Sequence, residues 1–431
     1  MSIKTSFIFT GDSFITRRIP EGGYSGFGEI SSLIKKYDVR FNNLEMTIHD
    51  KEGYPEALSG GTWAMAEPAV LDGLMEFGFN MYNTANNHSL DYSHGGLLGT
   101  IENLKKRGLI FAGTGENLYE AAKPAYLETA DARVAMIGVS SSFSVNSPAG
   151  NQRGDMKGRP GLNPLNYKTV YHITEEHYRA LENIADVTGI NAAAMRSIRL
   201  GYKPPMPEGE LNFAGKSFKL SDTIKEETIA NAMDVERITD QIEEAKRQAD
   251  YVIVSLHAHE FRDDDEAKPA KFVEEFARTC IDKGADAVVG HGPHELRGIE
   301  IYKGKPIFYS LGNFIFQTET VEYQPADAYE NHGMPFATVG QYMDNRSQNG
   351  TRGYAVQPNI WFSVMAGMEI VDGKLKQIQL YPIDLHMEYP RSRRGFPTLK
   401  SDNSVLKYLE ELSKPYGTEM KIMENMAVID L

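Results

Sequence analysis

The stretch Thr84-Ala85-Asn86-Asn87-His88-Ser89-Leu90-Asp91 gathers amides, an imidazole and a carboxylate within one short segment. It follows Phe77-Gly78-Phe79-Asn80-Met81-Tyr82, a run that reads as a short buried strand, and precedes a helix expected from about Gly95. Polar groups in a strand-to-helix loop sit where α/β sheets collect their chemistry, beyond the carboxyl ends of the strands. His88 becomes a useful general acid when its other ring nitrogen is held, and Asp91 is placed to hold it. Taken alone, the stretch fits turn chemistry equally well, with Asn86 and Asn87 in the turn and Asp91 capping the next helix.

Other strand ends repeat the pattern. Thr5 to Thr10 is an apolar strand that stops at Gly11-Asp12-Ser13, where Asp12 is either a turn residue or a metal ligand. The strand Val39 to Leu44 ends at Glu45, with Asn43 on the same face by period-two alternation. Tyr251 to Leu256 runs into His257-Ala258-His259-Glu260, and Ala287 to Gly290 into His291-Gly292-Pro293-His294. Lys305 to Ser310 opens into Leu311-Gly312-Asn313-Phe314. Carboxylate, amide oxygen and imidazole spread over separate strand ends suit one or two divalent ions such as Mn²⁺, Fe²⁺ or Zn²⁺. Two such ions about 3.5–4 Å apart activate a hydroxide and hold a leaving oxygen. The expected ligands are Asp12, Glu45, Asn87, His257, His291 and His294. His88, Asp91, Glu45 and His259 are the catalytic candidates, and Asn43 and Asn313 candidate substrate contacts.

The elements that must position these groups alternate between strand and helix. Helices are expected near Gly28 to Tyr37, Ala69 to Phe77, Gly96 to Arg107, Glu226 to Ala249 and Lys271 to Lys283, with a further strand at Arg133 to Val139. Successive βα units predict an α/β protein with a mainly parallel sheet and right-handed crossovers. From residue 146 to 232 the pattern changes to a Gly/Pro/Asn-rich segment, two helical runs (Glu175 to Val187, Ala192 to Leu200) and a possible hairpin around Leu211 to Leu220. An insertion of this length is expected to contact substrate. Arg153 and Arg159 are its candidates for receiving an acidic group. Asp372-Gly373 between apolar runs predicts a hairpin.

The expected organisation is a main domain from 1–145 and 233–385, an insertion or cap at 146–232, and a C-terminal extension at 386–431. The net charge of −14 excludes general nucleic-acid binding, which needs a basic surface. Cys280 is the single cysteine, so no intrachain disulfide forms, and its apolar helix predicts a buried structural thiol. No run is long enough for a signal sequence or membrane span, which predicts a soluble, cytoplasmic chain. Nothing in the pattern speaks to oligomeric state.

Six ordered blocks, Gly11-Asp12, Asn43-Leu44-Glu45, Ala85-Asn86-Asn87-His88 with Asp91, His257, Gly290-His291-Gly292-Pro293-His294, and Tyr309 to Phe314, resemble the CapA family. These are the poly-γ-glutamate capsule synthesis proteins, similar in fold to calcineurin-like metallophosphatases. The resemblance implies a four-layer α/β/β/α sandwich and puts Asp12, Glu45, Asn87, His88, His257, His291 and His294 at the metal-site positions. The sequence departs from it at three places. Phe14 replaces the histidine of the metallophosphatase Asp-x-His, Glu45 replaces a bridging aspartate, and His257-Ala258-His259-Glu260 replaces His-Trp-Gly. Many relatives also carry an N-terminal anchor.

The first expectation is a metal-dependent hydrolase acting on a phosphoester or a peptide-like γ-glutamyl bond of a small-molecule or peptide substrate. A metal-activated hydroxide would attack, and His88 with Asp91 would protonate the leaving group. A second is a metal-independent peptide epimerase, in which the same cluster removes and returns an α-proton. A third is a non-catalytic accessory of polyglutamate synthesis.

Overall fold

The computed structural model describes residues 4–431. Strand Lys4–Phe14 runs through the middle of a ten-stranded mixed sheet. On one side Val39–Leu44, Met81–Asn83 and Ile110–Ala112 follow in parallel register. On the other, Phe362–Val371 and Lys374–Asp384 run antiparallel, joined at Asp372 and Gly373, both with positive φ, as the hairpin signal predicts. Met426–Asp430 and Thr398–Leu399 then pair with Lys374–Asp384, so the chain's last residues complete this sheet. The sheet is therefore half antiparallel, where a mainly parallel one was expected. The antiparallel half comes from hairpins late in the chain, which need no crossover helix.

A second sheet of six strands centres on Tyr251–His257, which pairs in parallel with Arg133–Ser140 and Ala287–His291. Lys305–Leu311 continues the parallel set, and Leu296–Tyr302 and Ala125–Glu128 close the edges antiparallel. Period-two alternation sends Phe7 and Phe9 inward to a core shared with Met136, Ile253, Val289 and Phe308 of the second sheet. Ile8, between them, faces outward to helices Phe27–Ile34 and Val70–Phe77, with Ile30, Leu71 and Phe77. Val252, Val254 and Leu256 face the other way, against helices Ala232–Gln248 and Lys271–Asp282. Two sheets thus pack face to face with helices outside both. Cys280 is buried in the outer cluster, where burial pushes its thiol up.

Two elements differ from expectation. Phe77 ends a helix, because Gly78 adopts φ 103° and caps it, and the strand begins only at Met81. The helix expected from Glu226 begins at Ala232. Asn231 caps it by accepting from the amides of Met233 and Asp234, and Lys225–Ala230 pairs instead with Tyr167–Ile173. That pairing builds a four-stranded sheet with the hairpin Glu210–Phe213/Lys216–Leu220, accompanied by helices Glu175–Thr188 and Ala192–Arg199. It leans on the start of helix Lys271–Asp282, where Tyr167 stacks on Phe272 at 4.4 Å. Among the described residues no helix is long and apolar enough to cross a membrane.

Candidate metal centre

Strand ends from both sheets meet at one edge of their interface, and register does the positioning. Asp12 lies opposite Asn43 and Asn313, Asn43 opposite Asn83, and His257 opposite His291. Gly11 permits the approach: a Cβ there would meet the Gly312 carbonyl oxygen at 1.7 Å, and the Asp12 amide donates to that oxygen at 3.0 Å. His294 takes φ 63°, a strained conformation for a side chain of its size, which turns its ring back toward the cluster.

Asp12 is fully buried. Its Oδ1 accepts from Asn43 Nδ2 at 2.7 Å and its Oδ2 from the Gly292 amide at 2.9 Å. Burial nevertheless pushes its carboxyl up to about 7. Around Oδ1 lie His257 Nδ1 at 3.8 Å and His291 Nδ1 at 3.6 Å, and the two ring nitrogens are 2.9 Å apart. His291 Nε2 meets the Ser255 hydroxyl at 2.6 Å, which fixes the ring. The other nitrogen of His257 faces Asn87 Oδ1 at 2.9 Å, His259 Nε2 at 3.2 Å and Glu45 Oε1 at 3.7 Å. His294 Nδ1 stands 3.7 Å from both Asp12 Oδ2 and Glu45 Oε2. Asp12, Glu45 and His257 therefore each belong to two overlapping ligand groups.

Glu45 decides what the cluster is for. Both of its carboxylate oxygens are buried and neither has a hydrogen-bond partner among the described residues. An unpaired buried carboxylate is costly, and burial followed by the charges of Asp12 and Asp91 drives its titration well above the usual range. The histidines are displaced the opposite way. Burial brings His291 down to about 3 and His294 to about 4, and burial with the neighbouring imidazoles lowers His257 and His259 as well. Neutral imidazoles facing two carboxyl groups that lack a cationic partner are the donor set a divalent cation takes. The residues fit the expected metal.

Beside this cluster, His88 Nδ1 lies 2.6 Å from Asp91 Oδ2, which also accepts from the Ala64 amide at 2.7 Å. Phe14 does not leave a hole where an imidazole is missing. Its ring meets the His88 ring edge to face at 5.3 Å.

The structure brings together Asp12, Asn43, Glu45, Asn87, His88, Asp91, His257, His259, His291, His294 and Asn313. Two of them do a different job from the one expected. Asn43 donates to Asp12 and accepts from Asn83 Nδ2 at 2.7 Å, so its amide is committed and cannot read a substrate. Asn313 donates to the His294 and Ile360 carbonyls at 3.0 Å each and faces His294 Nδ1 at 2.9 Å, so it orients that ring. Arg153 and Arg159 are not brought to the cluster. The first is exposed and paired with Asp155, and the second donates to the Pro148 carbonyl. They belong to an exposed loop whose side chains pair locally.

Several positioning groups escape a reading of motifs. Ser255 stands two residues before His257 and shares its face, so the period-two rule could have found it. Arg297 is an arginine inside an apolar strand, and that anomaly is a signal. Fully buried, it donates to the carbonyls of Ala258, His259, Glu260 and Glu266 and ties down the loop that carries His259. Burial lowers its titration to about 10. Asn83, which donates to Asn43, carries no sequence signal.

The fold and the centre together define a mixed α/β protein with a buried carboxylate and imidazole cluster at its strand ends. The family described as bacterial capsule synthesis protein PGA_cap matches residues 6–318, and this chain belongs to it. The uncharacterized protein y4sH of Sinorhizobium fredii is 33% identical over 443 residues, covering 99% of this chain and 93% of that protein. The capsule biosynthesis protein CapA of Bacillus anthracis is 26% identical, covering 73% of this chain and 60% of its own length. A probable polyglutamine synthesis accessory protein of Mycobacterium tuberculosis is 24% identical over 55% of this chain and 45% of its own length.

Proposed function

We propose that this protein is a metal-dependent hydrolase on a metallophosphatase-type sandwich, acting on a γ-glutamyl, peptide-like bond or a phosphoester. The observation that carries it is Glu45: a buried carboxyl group with neither oxygen hydrogen-bonded among the described residues, facing neutral imidazoles. The names of relatives in capsule biosynthesis and polyglutamine synthesis favour the γ-glutamyl form and a setting in capsule synthesis. The two face-to-face sheets with helices outside both support the sandwich.

Asp12, Glu45, Asn87, His257, His291 and His294 would hold one or two divalent ions. When bound, these supply positive charge that polarises the scissile bond and makes a water molecule more acidic. The chain's own contribution is positional. Asn83 aligns Asn43, Asn43 aligns Asp12, and Asn313 and Ser255 set the rings of His294 and His291. Asp91 holds one nitrogen of His88, which leaves the other to deliver a proton to the leaving oxygen or nitrogen. His259, fixed from below by Arg297, faces the same space as a second proton-exchanging group.

Phe14 favours a second reading. A phenyl ring where metallophosphatases carry a ligand weakens one ion position, and an epimerase needs none. Chelation separates the two. EDTA should abolish hydrolysis and Mn²⁺ or Zn²⁺ restore it. Full activity in metal-free protein, with deuterium from D₂O entering a substrate α-carbon, would overturn the hydrolase in favour of the epimerase.

A further inference from the structure

A cavity of about 320 Å³ opens between Thr318, Met343, Arg346, Arg352 and Tyr354. One wall leads straight to the centre. The Tyr354 ring packs against Phe316 at 5.1 Å and stands 6.1 Å from the His294 ring. The other connection runs through two neighbouring glycines. A Cβ added at Gly60 would meet Asn87 Nδ2 at 2.3 Å and His88 Cε1 at 3.2 Å, and one added at Gly61 would stand 3.6 Å from Arg346 Nη2. With Cα atoms about 3.8 Å apart, the guanidinium lies within roughly two to four residues of extended chain from His88.

The two arginines are held but not neutralised. Helix Val339–Arg346 is fixed by a capping box at Thr338 and Gln341 and by buried Tyr342 and Met343. From its last turn Arg346 donates to the Thr62 hydroxyl, and Arg352 Nε donates to the Arg346 carbonyl at 2.8 Å. Neither guanidinium has a carboxylate partner among the described residues. The carboxylate in the cavity, Glu319, is already engaged by Arg394 and Arg391. In a chain of net charge −14, two cations left without a carboxylate beside the centre give a local positive charge that suits an anionic visitor.

We propose that this cavity is an oxyanion subsite, where Arg346 and Arg352 receive a carboxylate or phosphate of the substrate while the bond to be broken lies at His88. The proposal rests on reading the cluster as the reacting centre, and it deepens that reading by requiring a substrate whose anionic group lies roughly two to four residues of extended chain from the reacting one. Arg346, Arg352 and Tyr354 lie beyond residues 6–318, the part of the chain that the family matches.

The test uses the full, metal-free chain, so that no ion can attract the anion and the result is independent of turnover. Calorimetric titration would compare γ-glutamylglutamate, its fully amidated analogue and inorganic phosphate on the wild type, Arg346→Gln, Arg346→Lys and Arg352→Gln. Thermal unfolding would confirm that each variant is folded. The expected result is binding of one or both anions, no binding of the amide, and affinity roughly tenfold or more weaker in both glutamine variants. Arg346→Lys should fall between, since it keeps the charge and loses the fork. The anion that binds more tightly identifies the source as carboxylate or phosphate. Equal affinity in folded variants, or binding of neither anion to the wild type at millimolar concentration, would overturn the subsite. Loss of activity on chelation bears only on the centre, so the two ideas can fail separately.

Discussion

Replacing Glu45 with glutamine tests the centre at its most exposed assumption. The side chains are nearly the same size, and both Glu45 oxygens lack a hydrogen-bond partner among the described residues, so the substitution breaks none of the hydrogen bonds these residues make. Burial and the charges of Asp12 and Asp91 also favour the protonated, uncharged carboxyl, which glutamine mimics. The metal-free variant should therefore lie within about 1 kcal/mol of wild-type stability, the size of one ordinary hydrogen bond. Metal affinity should respond very differently. Removing a partner that only supports a ligand costs 10–100-fold, so removing an anionic ligand itself should cost at least about 100-fold, or about 2.8 kcal/mol. Titration of Mn²⁺ or Zn²⁺ against a chelating dye reads the affinity, and denaturant unfolding of the stripped protein reads the stability. Wild-type affinity and stoichiometry in E45Q would refute the ligand role. A loss of more than about 2 kcal/mol in the stripped protein would show that Glu45 has a protein partner after all.

Asp91→Asn should behave in the opposite manner. The asparagine oxygen can still accept from His88 and the Ala64 amide but without the charge, so each contact should weaken by about 1 kcal/mol, and unfolding should show the loss while metal content stays constant. His88→Asn should slow turnover by roughly 10²–10⁴-fold with metal retained, and metal loss in that variant would move His88 into the ligand set. Metal affinity should rise with pH. Asp12 holds its proton up to about 7, whereas His291 and His294, at about 3 and about 4, are already neutral and do not compete. Each pH unit below 7 should therefore weaken binding by up to about tenfold per carboxyl proton displaced, and a flat profile from pH 5 to 7 would contradict this. The raised Asp12 also makes the metal-free fold less stable as pH climbs from about 4 to about 7, because the unfolded chain has already released that proton.

How much of this was legible in the chain depends on the range over which each feature is encoded. Strand endings are local. An apolar run stopped by Asp12, Glu45, His257 or His291 marks a carboxyl end, and sheet geometry sends all such ends to one edge, so the chemical inventory of the centre could be read directly. The hairpin at Asp372-Gly373 is equally local, since it needs only two residues that tolerate positive φ. The residue types at Asn43 and Asn313 were legible too, but their partners were not. An amide on the right face reads a substrate or orients a ligand according to which side chains register places opposite it. Phe14 shows the same limit: its identity says that an imidazole is missing, and only packing shows its ring against His88.

What the amino-acid sequence by itself determined is the α/β class, the family and the carboxylates, amides and imidazoles that gather at the centre, because periodicity and strand ends act over a few residues. Only the tertiary structure decided that His257 turns its two nitrogens to two overlapping side-chain clusters, that Glu45 is left without a hydrogen-bond partner among the described residues, and that Arg346 reaches Thr62 across 284 residues. These depend on how two sheets pack face to face and on where a late loop returns. Neither is fixed by any local pattern, since the same alternation is compatible with many partners and packing selects one.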